Sequence, residues 1–241
     1  MKYFLILVVI IILYVFFIYG RFWYYVRFSH NPEIVQSDFV IGTGPSLRYI
    51  AAGDSTAVGE GASVVEQTYA VKIANELAKT NSVTYKNIAV SGSKTQHVVN
   101  NQLQEIIKFN PDVITISIGA NDLTHRIPPE QILKNFQTIV AELTTQTKAK
   151  IYITNIPNFT GADLLPWLYI KYLERTSAPI NKQLQSLESD KVKVINIHDF
   201  GWDNYPDKSI TYSLDKFHPS DIGYQNWANA FLSKIIPDLQ K

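Results

Sequence analysis

The sequence predicts an α/β protein: a three-layer α/β/α domain around a mainly parallel five-stranded sheet, preceded by an N-terminal transmembrane helix. Three observations carry this. Apolar, β-rich runs alternate with stretches of helical spacing from residue 47 onward. The runs are apolar on both faces, as strands covered by helices on both sides must be. Residues 3–19, YFLILVVIIILYVFFIY, contain no charge, and at about 1.5 Å per residue they approach the roughly 30 Å hydrocarbon core of a bilayer.

The apolar run comes first. Phe22, Trp23, Tyr24 and Tyr25 follow it, rings suited to the headgroup interface, where Arg21 can snorkel. No small-x-small cleavage site comes after the run, so residues 1–27 read as an uncleaved anchor and not as a removed signal peptide. Lys2 and the terminal amine nearly balance Arg21 and Arg27 across the span. A signal-anchor segment of this kind puts the body outside the cytoplasm, and that is the expected localisation. Residues 28–46, polar and broken by Pro32, Pro45 and small residues, read as a linker. The domain then occupies 47–241.

Within the domain, 47–52 is a strand. Apolar residues at 70, 71, 73, 74, 77 and 78 make 69–79 a helix. A strand at 83–90, a helix at 98–109 and the continuous run DVITISIG at 112–119 follow. Next come a helix at 132–143, a strand at 151–156, a long helix at 169–187 containing Pro179, a strand at 192–197 and a last helix at 224–236.

Composition narrows the function. The formal net charge is +1, so nothing points to nucleic acid or another polyanion. The chain has no cysteine, which excludes a disulfide scaffold, a thiolate metal site and a cysteine nucleophile. The histidines, at 30, 97, 125, 198 and 218, show no short His-x-x-x-His spacing, so no metal site is expected. Neither cofactor nor metal is needed by the chemistry argued next. The oligomeric state is not legible.

In an α/β sheet the site lies outside the carboxyl ends of the strands. Gly53-Asp54-Ser55 follows the first strand, Ser91-Gly92-Ser93 the second, and Gly119-Ala120-Asn121-Asp122 the third. Asp215-Lys216-Phe217-His218-Pro219 precedes the last helix. A serine hydroxyl is a poor nucleophile until a base takes its proton. His218 is the candidate base, and Asp215, three residues earlier, can hold its other ring nitrogen. Attack on a carbonyl creates an oxyanion, and Gly92 N–H, the Asn121 amide and Ser55 N–H are candidate donors to it.

These motifs resemble the SGNH, or GDSL-type, esterases and lipases. GDS at 53–55 is similar to that family's first block, NIAVSGSKT at 87–95 to its second, PDVITISIGAND at 111–122 to its third and DKFHPSDIGY at 215–224 to its fifth. The resemblance covers about residues 47–230. It implies a flavodoxin-like fold, a catalytic triad of Ser55, Asp215 and His218, and an oxyanion hole of Ser55, Gly92 and Asn121. It implies a serine hydrolase that cleaves carboxylic esters through an acyl-enzyme, of esterase, lysophospholipase or thioesterase type, or an O-acetyl esterase on envelope carbohydrate. The partners implied are a small-molecule ester, lipid or acylated carbohydrate substrate and, through residues 3–19, the lipid bilayer. Thr56 stands where the first block commonly has leucine. GDSTA at 53–57 is not the Gly-x-Ser-x-Gly elbow of other lipases.

Other polar residues read as structural. Asp54 orders the turn, Asp122 braces the asparagine loop, and the His198-Asp199 pair holds structure. His97 and His125 stand near the rim and either contact substrate or are solvated loop residues, the latter being the stronger expectation. Trp167, Leu168, Tyr169 and Tyr172, and likewise Trp202, Tyr205 and Tyr212, either line an acyl pocket or pack as core, with packing the stronger expectation. Two non-enzymatic alternatives are a nucleotide- or flavin-binding domain and an inactive binding domain. Gly42-Thr43-Gly44 precedes the first strand, where a nucleotide loop follows it. The full set of reactive groups argues against inactivity.

Overall fold

The computed structural model describes residues 1–28, 31–201 and 204–240. Ser29, His30, Trp202, Asp203 and Lys241, and the readings that fall on His30 and Trp202, lie outside the described residues.

One sheet contains β1 (Phe39–Ile41), β2 (Ser46–Gly53), β3 (Ser82–Asn87), β4 (Val113–Ser117), β5 (Lys150–Thr154) and β6 (Val192–Ile195). The strand order is β1-β3-β2-β4-β5-β6. Strands β2 to β6 are the five expected from the sequence, and all pair in parallel. The sixth, β1, adds an antiparallel edge to β3. It falls inside the stretch read as linker. Three residues are too few to show a period of two, and what holds them is tertiary: the Phe39 ring packs 4.7 Å from that of Tyr85. The expected strand at 83–90 stops being regular after Asn87. Even so, Ile88 N–H and Val90 N–H still reach the carbonyls of Ala51 and Gly53.

The helices are α1 (Lys2–Phe28), α2 (Ser55–Val58), α3 (Tyr69–Leu77), α4 (Thr95–His97), α5 (Leu103–Phe109), α6 (Ala120–Thr124), α7 (Pro129–Gln146), α8 (Trp167–Leu184) and α9 (Asp221–Leu239). A π-helical turn, Val98–Gln102, joins α4 to α5. The pleat of β2 sorts its residues between two cores. Tyr49 and Ala51 join α3 and α9 through Ile73, Tyr224 and Phe231. Ile50 and Ala52 join α5, α7 and α8 through Ile106, Phe136 and Leu173. Tyr69 stacks on Phe231 at 5.0 Å with the rings 7° apart, locking α3 to α9.

Within α1, Lys2–Tyr25 is long and apolar enough to cross a membrane, and its apolar stretch is not buried against the rest of the chain. In the domain, the chain leaves β2 for β3 on one side and reaches β4 on the other. The crevice at such a switch point opens at the carboxyl end of β2. Ser55 lies there.

Candidate active site

The strand end is built around Gly53. Its φ is +130°, and a Cβ there would lie 1.8 Å from Ser117 O. Only glycine lets β2 close on β4 at this point. Gln102, buried in the π-helical turn, grips the same residue: its side chain accepts from Gly53 N–H at 2.8 Å and donates to Gly53 O at 2.9 Å. Asp54 then caps α2. Its Oδ1 accepts from Thr56 N at 3.0 Å and Thr56 Oγ1 at 2.7 Å. Burial pushes the Asp54 carboxyl up to about 6, against those donors. The turn-ordering role read from the sequence fits this geometry. Ser55 is the first residue of α2, with little exposure, and its hydroxyl faces the loop before α9.

That loop brings the other two candidates. His218 Nε2 lies 2.9 Å from Ser55 Oγ, and His218 Nδ1 lies 2.6 Å from Asp215 Oδ2. Asp215 Oδ1 accepts from Ser213 Oγ at 2.9 Å, Phe217 N at 2.8 Å and His218 N at 2.9 Å. Burial opposes the charge on Asp215, but His218 and these backbone donors outweigh it and hold the carboxyl at about 2. Burial likewise opposes charge on His218. Asp215 first, then Glu60 and Asp54, outweigh it, so the imidazole is more basic than usual. The Phe217 ring meets the His218 ring edge-on at 5.2 Å.

The candidate oxyanion donors come from the next two strand ends. Gly92 lies in the turn after β3 with φ +75° and open space around it, so conformation rather than crowding calls for glycine. Asn121, in α6, donates through Nδ2 to Ser93 O at 3.0 Å. An amide nitrogen carries two hydrogens, which leaves one for a ligand. Asp122 fastens the two loops together, accepting from Thr95 N at 2.9 Å and Thr95 Oγ1 at 2.6 Å. Asn135 donates to that Thr95 hydroxyl at 2.8 Å. His97 Nδ1 lies 3.1 Å from Ser93 Oγ, and His125 Nδ1 lies 2.8 Å from Asn121 O. Both rings are thus attached to the two loops.

Beside Ser55 and His218 is a narrow cavity of about 70 Å³. Asn121, Phe159, Phe200, Tyr212, Phe217 and Trp227 are among its walls. Of the aromatic residues singled out in the sequence, Tyr212 lines it. Its hydroxyl also donates to Asn158 O at 2.7 Å. Tyr205 instead reaches Asn226 Oδ1 at 3.3 Å. Trp167, Leu168 and Tyr172 are exposed, and Tyr169 donates to Thr124 O at 2.7 Å. His198 is held between Asp199 and Glu174, and Glu174 accepts from the N–H of Phe159, a cavity wall, at 2.6 Å. Among the described residues no cluster of three or more His, Cys, Asp or Glu could hold a metal ion.

Beyond Gln102 and the cavity walls Phe159, Phe200 and Trp227, two polar neighbours of His218 and Asp215 escaped the sequence reading. Glu60 Oε2 lies 3.3 Å from His218 Nε2, and its other oxygen accepts from Ser91 Oγ. Its one sequence cue is the Gly59-Glu60-Gly61 stretch just past Ser55. Asn31 donates to Asp215 Oδ2 at 2.7 Å across a separation of 184 residues, with no cue at all.

The chain can now be set beside known proteins. The sequence model of the GDSL-like Lipase/Acylhydrolase family matches residues 51–225. No curated protein matches the chain. Among solved structures, the lipase Lip_vut3 from a goat rumen metagenome is similar with TM-score 0.61 and 23% identity, over 78% of this chain and 96% of that one. The acetyl xylan esterase AlAXEase is similar with TM-score 0.61 and 20% identity, over 78% of this chain and 100% of that one. A Clostridium thermocellum family 3 carbohydrate esterase is similar with TM-score 0.61 and 19% identity, over 81% and 98%. At these identities the likeness shows the fold.

Proposed function

The chain belongs to the GDSL-like lipase/acylhydrolase family and is an ester-hydrolysing enzyme, and from that premise we propose that it is a membrane-anchored serine hydrolase working through an acyl-enzyme on Ser55. The observation that carries this is the line of contacts from Asp215 through His218 to Ser55, at 2.6 Å and 2.9 Å. His218 Nε2 takes the Ser55 proton as Oγ attacks the ester carbonyl. The negative oxygen is met by Ser55 N–H, Gly92 N–H and the Asn121 amide. His218 passes its proton to the leaving alcohol as the C–O bond breaks. Water then attacks the acyl-enzyme, giving its proton to the same nitrogen, and Ser55 is restored. Asp215 stays ionised throughout and holds the ring in the tautomer that leaves Nε2 free.

A short acyl group suits the narrow cavity better than a long chain. The same observation favours an O-acetyl ester, including one on carbohydrate, over a long-chain lipid. Acetyl xylan esterase and carbohydrate esterase are activities named for proteins of similar fold. The apolar Lys2–Tyr25 segment supports the anchor. The body is proposed to face outside the cytoplasm, 28–46 being the linker and 47–241 the hydrolase domain.

The test is turnover by the full chain of p-nitrophenyl acetate, longer p-nitrophenyl esters and acetylated sugars. Acetyl esters should lead, and Ser55→Ala should remove all turnover. Persistent turnover by Ser55→Ala overturns the mechanism, and preference for long chains overturns the acyl assignment. Carbonate extraction should leave the chain in the membrane; release of the intact chain would remove the anchor.

A further inference from the structure

Residues 31–41 do not hang free of the domain. Ile34 packs against the core shared by α3 and α9, as does Phe39. Gln36 donates to Val58 O and lies 3.4 Å from the Tyr85 hydroxyl, which donates to it. Farther along, β1 pairs with β3. At its start, Asn31, Pro32, Glu33 and Ile34 wall a polar cavity of about 410 Å³ whose opposite side includes Glu60 and Asp215. Residues 31–41 are therefore seated along one flank of the Ser55–His218 group.

Asn31 is where this seating touches the reactive groups. The Asp215 carboxylate is held on two edges. Its Oδ1 takes donors from its own loop: Ser213 Oγ, Phe217 N and His218 N. Its Oδ2 takes His218 Nδ1 at 2.6 Å and Asn31 Nδ2 at 2.7 Å. Asn31 thus shares Oδ2 with His218, as a donor that comes from outside the loop holding Oδ1. Without that donor the oxygen is left to His218 and to water.

We propose that Asn31 is a positioning residue for ester hydrolysis, delivered to the Asp215–His218 pair by the segment that leaves the membrane helix. It acts through Asp215 and touches no substrate. The inference rests on the reading of His218 as the base. Two consequences separate it from a merely structural contact. It fixes the plane of the carboxylate and hence the aim of the imidazole, so its loss lowers kcat more than it raises KM. A neutral donor also draws charge away from the oxygen that faces the imidazolium, so its loss makes His218 more basic. The groups facing His218 are Asp215 at Nδ1, and Ser55 and Glu60 at Nε2, with Asp54 acting through space. Glu33 lines the same cavity as Asn31. None of these charges changes in Asn31→Ala.

The experiment uses the full chain in detergent, p-nitrophenyl acetate as probe, and complete pH profiles. Asn31→Ala should lower kcat on the order of tenfold, as loss of a hydrogen bond to a charged group does, with KM nearly unchanged and the acid limb of kcat/KM moved to higher pH. Asn31→Asp, which adds charge to the same place, should move that limb further and lose more activity. Asn31→Gln, which keeps an amide, should recover part of the loss. Val35→Ala, at an exposed position of the same segment, should behave as wild type. Ser55→Ala and His218→Ala run alongside. If they lose turnover while Asn31→Ala keeps wild-type kcat and an unmoved acid limb, this inference is overturned and the mechanism stands. If they keep turnover, the mechanism fails and takes the inference with it.

Discussion

His198 and His218 each sit beside an aspartate, and they differ in what meets the second ring nitrogen. His198 has acid on both sides: Nδ1 is 2.5 Å from Asp199 Oδ1 and Nε2 is 2.9 Å from Glu174 Oε2. His218 has Asp215 at Nδ1 but the Ser55 hydroxyl at Nε2, with Glu60 somewhat farther off at 3.3 Å. The Glu174 hydrogen bond leads in raising His198 to about 9, so that ring is a cation at neutral pH and has no lone pair to offer. His218 is raised too, but it keeps a nitrogen turned to a hydroxyl. A histidine between two carboxylates is a brace. One between a carboxylate and a serine can act as a base.

Exchange of the two histidines for alanine is the strongest way to break this comparison. His218→Ala should lower kcat by about three orders of magnitude or more. His198→Ala should leave kcat within about twofold, because among the described residues its ring is held by Glu174 and Asp199, and should cost about 1–2 kcal/mol of stability by loosening a partly exposed cluster. The stability effect has a pH window. The folded value, about 9, lies above the ordinary 6.5. The stabilisation is therefore full below the unfolded value and is lost as pH rises from there toward the folded one. Denaturation midpoints should fall across that window in the wild type and stay flatter in His198→Ala. Equal loss of activity in both variants would erase the distinction.

Asn121→Ala tests the other side of the proposed nucleophile. In this variant kcat should fall on the order of a hundredfold, about 3 kcal/mol, with little change in KM. A pure KM effect would make Asn121 a binding residue.

The smallest effect sharpens the comparison most finely. Since His218 is more basic than usual, the acid limb of kcat/KM should lie above pH 6.5. Glu60→Gln removes one of the charges that raise it, so the limb should move down, by a few tenths of a unit at this exposure. An unmoved limb would mean that Glu60 does not reach the base electrically.

Why the sequence revealed one histidine's surroundings and not the other's follows from the same contacts. Strands β4 and β5 were legible as nearly continuous apolar runs, and β2, β3 and β6 as short β-rich runs with a polar residue or two among them. The grouping of Ser55, Asn121 and the Asp215–His218 pair was legible because reactive types stand in order at two strand ends and in the loop before α9. The brace around His198 was half legible: Asp199 is adjacent, but Glu174 arrives from α8. Strand β1 is too short to show a period, and the π-helical turn at Val98–Gln102 looks like ordinary helix in a list of apolar positions. Gln102, Glu60 and Asn31 reach the site only through folding, the last across 184 residues. Apart from the glycines that flank Glu60, local pattern carries no trace of such contacts.

The central claim is that Ser55 is the nucleophile and His218 its base. A fluorophosphonate probe on the full chain, followed by peptide mapping of the adduct, tests it directly. One adduct is expected, on Ser55, absent in Ser55→Ala, strongly slowed in His218→Ala and unchanged in His198→Ala. An adduct on any other residue, or labelling of Ser55→Ala at the wild-type rate, would contradict it.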